Sequence, residues 1–309
     1  MQRRGLNIRK GLLRTIMPAL RLLPPRAATR LVAAIGRVEY ALLPGLRGHY
    51  DRAVARAGDD LGGRWDIAAV GRALAGNQIR WRARDLLLDG LDDRRVAPLF
   101  DVAGRDALDS ALVEGKGVIL LGNHFGAHLM PAHWLVRQGY PLRLFMERPR
   151  HVSRFLTRSF ETDGPLGQRK LFISRRATPA EAAGSILRAA RILKAGLIVN
   201  LAGDVRWTGP HTTPAVFLGR SYTFSSTWVA LAAMSGAPVV PVFCRMEPTG
   251  SFRLEFLAPY HIPPHAAEPP QAARWVQGAL DVIADHVQRD PTNSNDYFFW
   301  PDSAPANAA

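Results

Sequence analysis

The chain of 309 residues has a single cysteine, no internal repeat and no uninterrupted apolar run near the roughly 18 residues that a membrane span requires. One cysteine cannot form an internal disulfide. Cys244 lies in the apolar run PVVPVFC, where a thiol is expected to serve as a small buried hydrophobe, and the chain is expected to work inside the cell. Acid is also scarce: 26 aspartates and glutamates face 40 lysines and arginines, a formal net charge of +14. Such a surface suits anionic partners, whether phosphates, nucleic acid or an acidic membrane face. No helix-turn-helix, zinc-finger or RNA-binding aromatic motif is present, so nucleic acid is not an expected partner. A hydrophobic fraction of 47% can fill a substantial core and argues against intrinsic disorder.

What is present first is a basic amphipathic segment, MQRRGLNIRKGLLRTIMPALRLLPP. Leu6, Leu12, Leu13, Ile16, Met17 and Leu20 recur at near-helical spacing among Arg3, Arg4, Arg9, Lys10, Arg14 and Arg21. A helix of this kind lies in the interface of an anionic bilayer rather than across it. No small-residue cleavage site follows its apolar part, which argues against a targeting peptide.

Residues 1–91 read as a helical, membrane-associating region, punctuated by Pro24–Pro25, Pro44–Gly45 and Gly62–Gly63. From 92 to 300, short apolar runs alternate with helical patterns. GVILL, PLRLFM, LIVNLA and PVVPVF read as buried strands and SFRLEFLAP as a two-faced one. This alternation predicts a single α/β domain with a mostly parallel central sheet flanked by helices. The tail 301–309, ending SAPANAA, is expected to be disordered.

In such sheets ligands bind beyond the carboxyl ends of the strands. GNHF, MERPR and AGDVRW each follow an apolar run, so one rim is expected to gather a histidine, an arginine pair and an aspartate. His124 at a strand end suits a general base, because imidazole titrates near working pH. Asp204 is the best candidate for the carboxylate that orients it, with pairing to Arg206 as the simpler role; Glu147 is a second candidate. Arg148 suits a phosphate clamp, with Arg206 and Arg220 adding to a basic rim, and Asn123 and Phe125 beside the base are expected to bind substrate with them. Phe125, Leu129, Met130 and Trp134 are read as projecting from one helix and lining an acyl-chain pocket, although core packing explains them equally well. His128 lies four residues after His124, but helical phase sets His133 about 140° away from it. No metal site and no cofactor are expected.

EGKGVILLGNHFG, the arginine-proline pair of MERPR, the aspartate of LAGD, the VFLGR turn and LAAMSGAPVVPVF, in that order, resemble the lipid A biosynthesis acyltransferase family. The likeness runs from about Leu23 to Trp300 and extends to the lysophospholipid acyltransferase-like superfamily. It implies a glycerolipid-acyltransferase-like domain, peripheral on the cytosolic face of the inner membrane. Such a domain moves an acyl chain from acyl carrier protein or acyl-CoA to a hydroxyl of a glycolipid or lysolipid. It also implies His124 as the base and an acidic residue five positions later. Here that position is Leu129, Val205 follows Asp204 where glutamine is usual, and Pro301 and Asp302 replace a basic stretch. Two readings follow: an acyltransferase whose base takes its carboxylate from Asp204, or an acyltransferase-like protein that binds lipid or thioester without turnover.

Overall fold

A computed structural model describes residues 19–88, 91–147, 170–173, 178–209 and 211–300. Most of the basic N-terminal segment and Arg148, the expected phosphate clamp, lie outside these residues.

The described chain begins with three long helices, α1 (Pro25–Leu42), α2 (Pro44–Leu61) and α3 (Ile67–Leu88). A single turn, α4 (Asp93–Val96), then leads into β1 (Phe100–Ala103), α5 (Arg105–Val113) and β2 (Val118–Gly122). Next come α6 (Met130–Arg137), β3 (Leu142–Glu147), β4 (Lys170–Ile173), α7 (Pro179–Lys194) and β5 (Ile198–Ala202). The hairpin β6 (Thr212–Phe217) and β7 (Arg220–Ser225) precedes α8 (Thr227–Ser235). The chain closes with β8 (Val239–Met246), β9 (Phe252–Phe256), α9 (Pro269–Arg289) and the short α10 (Asn295–Phe298).

Seven of these strands form one sheet in the order β1-β9-β8-β2-β5-β3-β4, parallel at every step except β8 against β9. The expected α/β class and largely parallel sheet are present. Strand β2 is buried along its whole length, as a strand covered by helices on both faces must be. Its pleat divides the core. Ile119 and Leu121 join a cluster with Val199, Leu201, Phe243 and residues of α2, α3, α8 and α9. Val118 and Leu120 join another with Val240, Val242, Met130 and Leu135. Each such buried aliphatic side chain contributes about 1.5–3 kcal/mol.

Helices α1 to α3 are packed into this structure rather than appended to it. Tyr40, Tyr50, Val54 and Leu74 belong to the same cluster as Ile119. Helices α1 and α3 cross where a Cβ on Gly36 would stand 2.2 Å from the Ala75 carbonyl oxygen, so only glycine fits there. Arg80 on α3 donates to the carbonyls of Glu247 and Ser251, and Asn77 to that of Thr292.

The hairpin around the VFLGR turn and two short edge strands are not apparent from sequence pattern. VFLGR is the turn of a separate two-stranded hairpin, in which both Leu218 and Gly219 take positive φ, as two-residue hairpin turns require. Strands β1 and β4, four residues each, are too short for hydrophobic periodicity to reveal. Helix α7, by contrast, carries its own start signal. Thr178 and Glu181 exchange hydrogen bonds in a capping box.

Candidate active site

Strands β2 and β5 are neighbours in register, with Gly122 opposite Ala202. Their carboxyl ends therefore release two loops side by side, 123–129 and 203–207. The first is held from beneath. Gly126 sits at φ 62° with its N–H on the Asn293 carbonyl at 2.7 Å, and the Ala127 N–H is on the Cys244 carbonyl at 2.8 Å. A Cβ on Gly126 would lie 2.1 Å from that Cys244 oxygen, so the loop's path depends on glycine.

The second loop delivers Asp204, which has no solvent exposure. Its Oδ1 lies 2.9 Å from His124 Nδ1, and its Oδ2 accepts from the His124 backbone N–H at 2.8 Å and from the Tyr297 hydroxyl at 2.7 Å. The Tyr297 oxygen also accepts from the His124 N–H at 3.1 Å. Burial alone would raise the Asp204 carboxyl, but the His124 charge and hydrogen bond, then Tyr297 and the His124 amide, hold it below its ordinary value. It is a carboxylate, so Nδ1 of His124 carries the proton and donates. On His124, burial lowers the pKa, yet Asp204 and then Asp296 outweigh burial and raise it to about 9. Tyr297 is pushed the other way from ionisation, by burial and by Asp204, and remains a phenol.

With Nδ1 committed, Nε2 is the nitrogen left for chemistry. The His124 side chain keeps 33% of its surface open to a cavity of about 1330 Å³. That volume exceeds the roughly 300–1,000 Å³ of ordinary small-molecule sites. One part of its wall is apolar, with Leu129, Leu144, Phe145, Ile186 and Leu201. Another is polar and aromatic. Here the Arg206 guanidinium lies 4.3 Å from the Trp300 ring centroid and 5.4 Å from that of Tyr222.

The structure rearranges several sequence-based expectations. Residues 124–129 are turns, and α6 begins only at Met130, so Phe125, Leu129, Met130 and Trp134 do not share one helix face. Leu129 alone of the expected acyl-pocket residues lines the cavity. Met130 is fully buried in the cluster under the opposite sheet face, and Trp134 packs on Tyr140 and Phe256. Phe125 is fully buried edge-on to Phe243 and His286 and does not line the cavity. Asn123 reaches the cavity wall, but its amide braces the loop, donating to the Val242 carbonyl and accepting from the Phe125 N–H. Arg220 is not part of the rim. It grips Asp60 through Nε at 2.9 Å and Nη2 at 2.7 Å and ties the hairpin to α2. Arg206 does line the cavity.

Residues 86–299 match the family model described as bacterial lipid A biosynthesis acyltransferase. The chain belongs to this family. The lipid A biosynthesis lauroyltransferase of Escherichia coli (strain K12) is 28% identical over 176 residues, which are 56% of this chain and 53% of that protein. The chain thus spans about half the length of the curated relative it matches. Family sequence motifs lead to His124 and Asp204. Nothing local marks Tyr297, 173 residues from His124 in sequence, as the third member of the cluster.

Proposed function

We propose that this family member is a membrane-associated acyltransferase, moving a fatty acyl group from an acyl-carrier-protein or coenzyme A thioester to a hydroxyl of a glycolipid or lysolipid. The observation that carries the reading is His124, anchored at Nδ1 by a buried carboxylate and lining a cavity of about 1330 Å³ whose wall includes Leu129, Leu144, Phe145, Ile186 and Leu201. Nε2 takes the proton of the acceptor hydroxyl as its oxygen attacks the thioester carbonyl. The carbon–sulfur bond then breaks, and the proton passes from the imidazolium to the departing sulfur. The products are an ester and a free thiol. Asp204 holds the reactive tautomer and stabilises the imidazolium; Arg206 and Arg148 are proposed to bind anionic groups of the substrates.

The surroundings of His124 favour the alternative of binding without turnover, because Asp204 and Asp296 outweigh burial and raise the imidazole pKa to about 9. The two readings separate in one assay. Purified chain incubated with an acyl thioester and a glycolipid acceptor is expected to release thiol and form ester in equal amounts. Retention of both substrates without thiol release, at any pH up to 9.5, would establish the alternative.

Attachment to the cytosolic face of the inner membrane is proposed to be peripheral. Among the described residues, no helix is long and apolar enough to cross a membrane. Helix α1 instead turns Leu31, Val38 and Leu42 outward at helical spacing, with Leu22, Leu23 and Leu43 exposed at its ends. Arg30 and Arg47 lie exposed beside this stripe, while Glu39, Leu46 and His49 of the same region line the cavity. A bilayer against α1 would therefore sit at the cavity's edge. Leu31→Asp with Leu42→Asp is expected to weaken sedimentation with anionic phospholipid vesicles about tenfold or more. Removal of residues 1–22 should weaken it further, and salt only in part. Unchanged binding by both altered chains would refute this surface.

A further inference from the structure

Leu129 brings no charge to the loop of the base, yet a second carboxylate approaches that loop from the far end of the chain. Asp296, in α10, lines the same cavity as His124 and keeps 37% of its side-chain surface open. Its Oδ2 lies 3.9 Å from Nδ1 of His128, and the His128 ring centroid lies 4.8 Å from that of His124. His128 is fixed from behind. Its ring packs at 3.9 Å on Trp81, which in turn carries the Arg84 guanidinium at 3.3 Å.

A carboxylate opening a helical turn commonly caps it, but this one accepts no hydrogen bond from any described residue. The His128 Nδ1 facing it is buried and likewise without a hydrogen-bond partner among the described residues. Two polar groups thus confront each other just beyond hydrogen-bond range, a gap that a small side-chain rotation or a shared water closes. Burial, His124 and Arg84 keep His128 well below the ordinary imidazole pKa, so it is neutral and adds no competing charge.

We propose that Asp296 is a positioning residue for His124, a second carboxylate that acts from beyond His128 to favour the imidazolium formed during transfer. The role rests on the reading of His124 as the base. It supplies, from another element, the negative charge that the residue five positions after His124 lacks. The groups facing His124 are Asp204 from the loop after β5, Tyr297 and Asp296 from the C-terminal turn, and His128 from its own loop. Arg82 and Arg84 of α3 also act on Asp296 and lower its carboxyl pKa. Its carboxyl is raised above the ordinary value by burial, with His124 pulling it down and Asp204 pushing it up.

The test compares Asp296→Asn and Asp296→Glu with the intact chain, following the His124 ring by NMR of labelled histidine alongside kcat and KM. In Asp296→Asn the His124 titration should move down from about 9 by up to about one unit. On the alkaline plateau, about one pH unit above the His124 pKa of about 9, kcat should fall about tenfold with KM nearly unchanged, and Asp296→Glu should recover most of both. An unmoved His124 titration in Asp296→Asn would overturn the proposal, as would a kcat loss that tracks a lower melting temperature and resists the glutamate. Absence of turnover in the intact chain would defeat the acyltransferase reading instead, and the His124 titration would still decide the role of Asp296.

Discussion

Alanine at position 124 is expected to abolish measurable acyl transfer, and asparagine at position 204 to cut it by about 10³–10⁴-fold. The first follows from losing the imidazole that the proposed mechanism uses to take the hydroxyl proton. The second follows from the hydrogen-bond pattern. Oδ2 of Asp204 serves two donors, the His124 N–H and the Tyr297 hydroxyl, so an asparagine would turn its carbonyl oxygen to them. Its amide NH₂ would then face Nδ1 of His124, which would have to become an acceptor. The proton would move to Nε2, and the base would be lost to the wrong tautomer. In the serine-protease triad the same error costs about 10⁴-fold. Because asparagine matches aspartate in shape, circular dichroism should be unchanged. Leu129→Glu, adding a carboxylate beside the cavity, is expected to return part of the activity in the Asp204→Asn background. Full activity of Asp204→Asn would remove Asp204 from the mechanism. If the unaltered chain were inert and Leu129→Glu alone conferred activity, the protein would be a decayed enzyme.

The rate should also rise with pH by about two decades between pH 7 and pH 9, because only neutral imidazole can accept the proton. With its pKa raised to about 9, roughly one His124 in a hundred is neutral at pH 7, each pH unit being worth a factor of ten. The profile of kcat/KM reports the free enzyme and should level off above pH 9. Loss of the carboxylate in Asp204→Asn should move the inflection to lower pH while lowering the plateau. Stability runs the opposite way. A histidine whose folded pKa exceeds its unfolded value of about 6.5 stabilises the fold fully below that value and loses the contribution as pH rises through 9. Activity is therefore greatest where the His124–Asp204 ion pair contributes least. A rate independent of pH from 6 to 9 would exclude His124 as a base with this pKa.

How much of this was legible in sequence depends on range. The runs GVILL and LIVNLA are compact, apolar and followed by loops, so the meeting of His124 and Asp204 on one rim follows from the pattern itself. Hydrophobicity alone could not show that Gly126 takes positive φ and that α6 starts at Met130. Without that turn, Phe125, Met130 and Trp134 fall on one imagined helix face; with it, they point into the core. Arg220 was misread for another reason: its partner Asp60 lies 160 residues away, and a basic residue after a turn gives no sign of its partner. Tyr297 and Asp296 escaped notice because DYFFW reads as an ordinary aromatic end. Their place depends on a C-terminal turn folding back over strands that are distant in sequence.

That turn sets a timetable. His124 emerges early in synthesis, but the hydroxyl of Tyr297 that joins its carboxylate, and the Asn293 carbonyl that pins Gly126, come about 170 residues later. At the usual 5–20 residues per second, the loop waits roughly 10 to 35 s for its last supports. A polypeptide halted partway along the ribosome would already hold the base and a nearly complete sheet, yet lack the contacts that fix its reactive group. On the acyltransferase reading, a chain ending before residue 293 would hold His124 and Asp204 without the Asn293 carbonyl and Tyr297 hydroxyl that brace them.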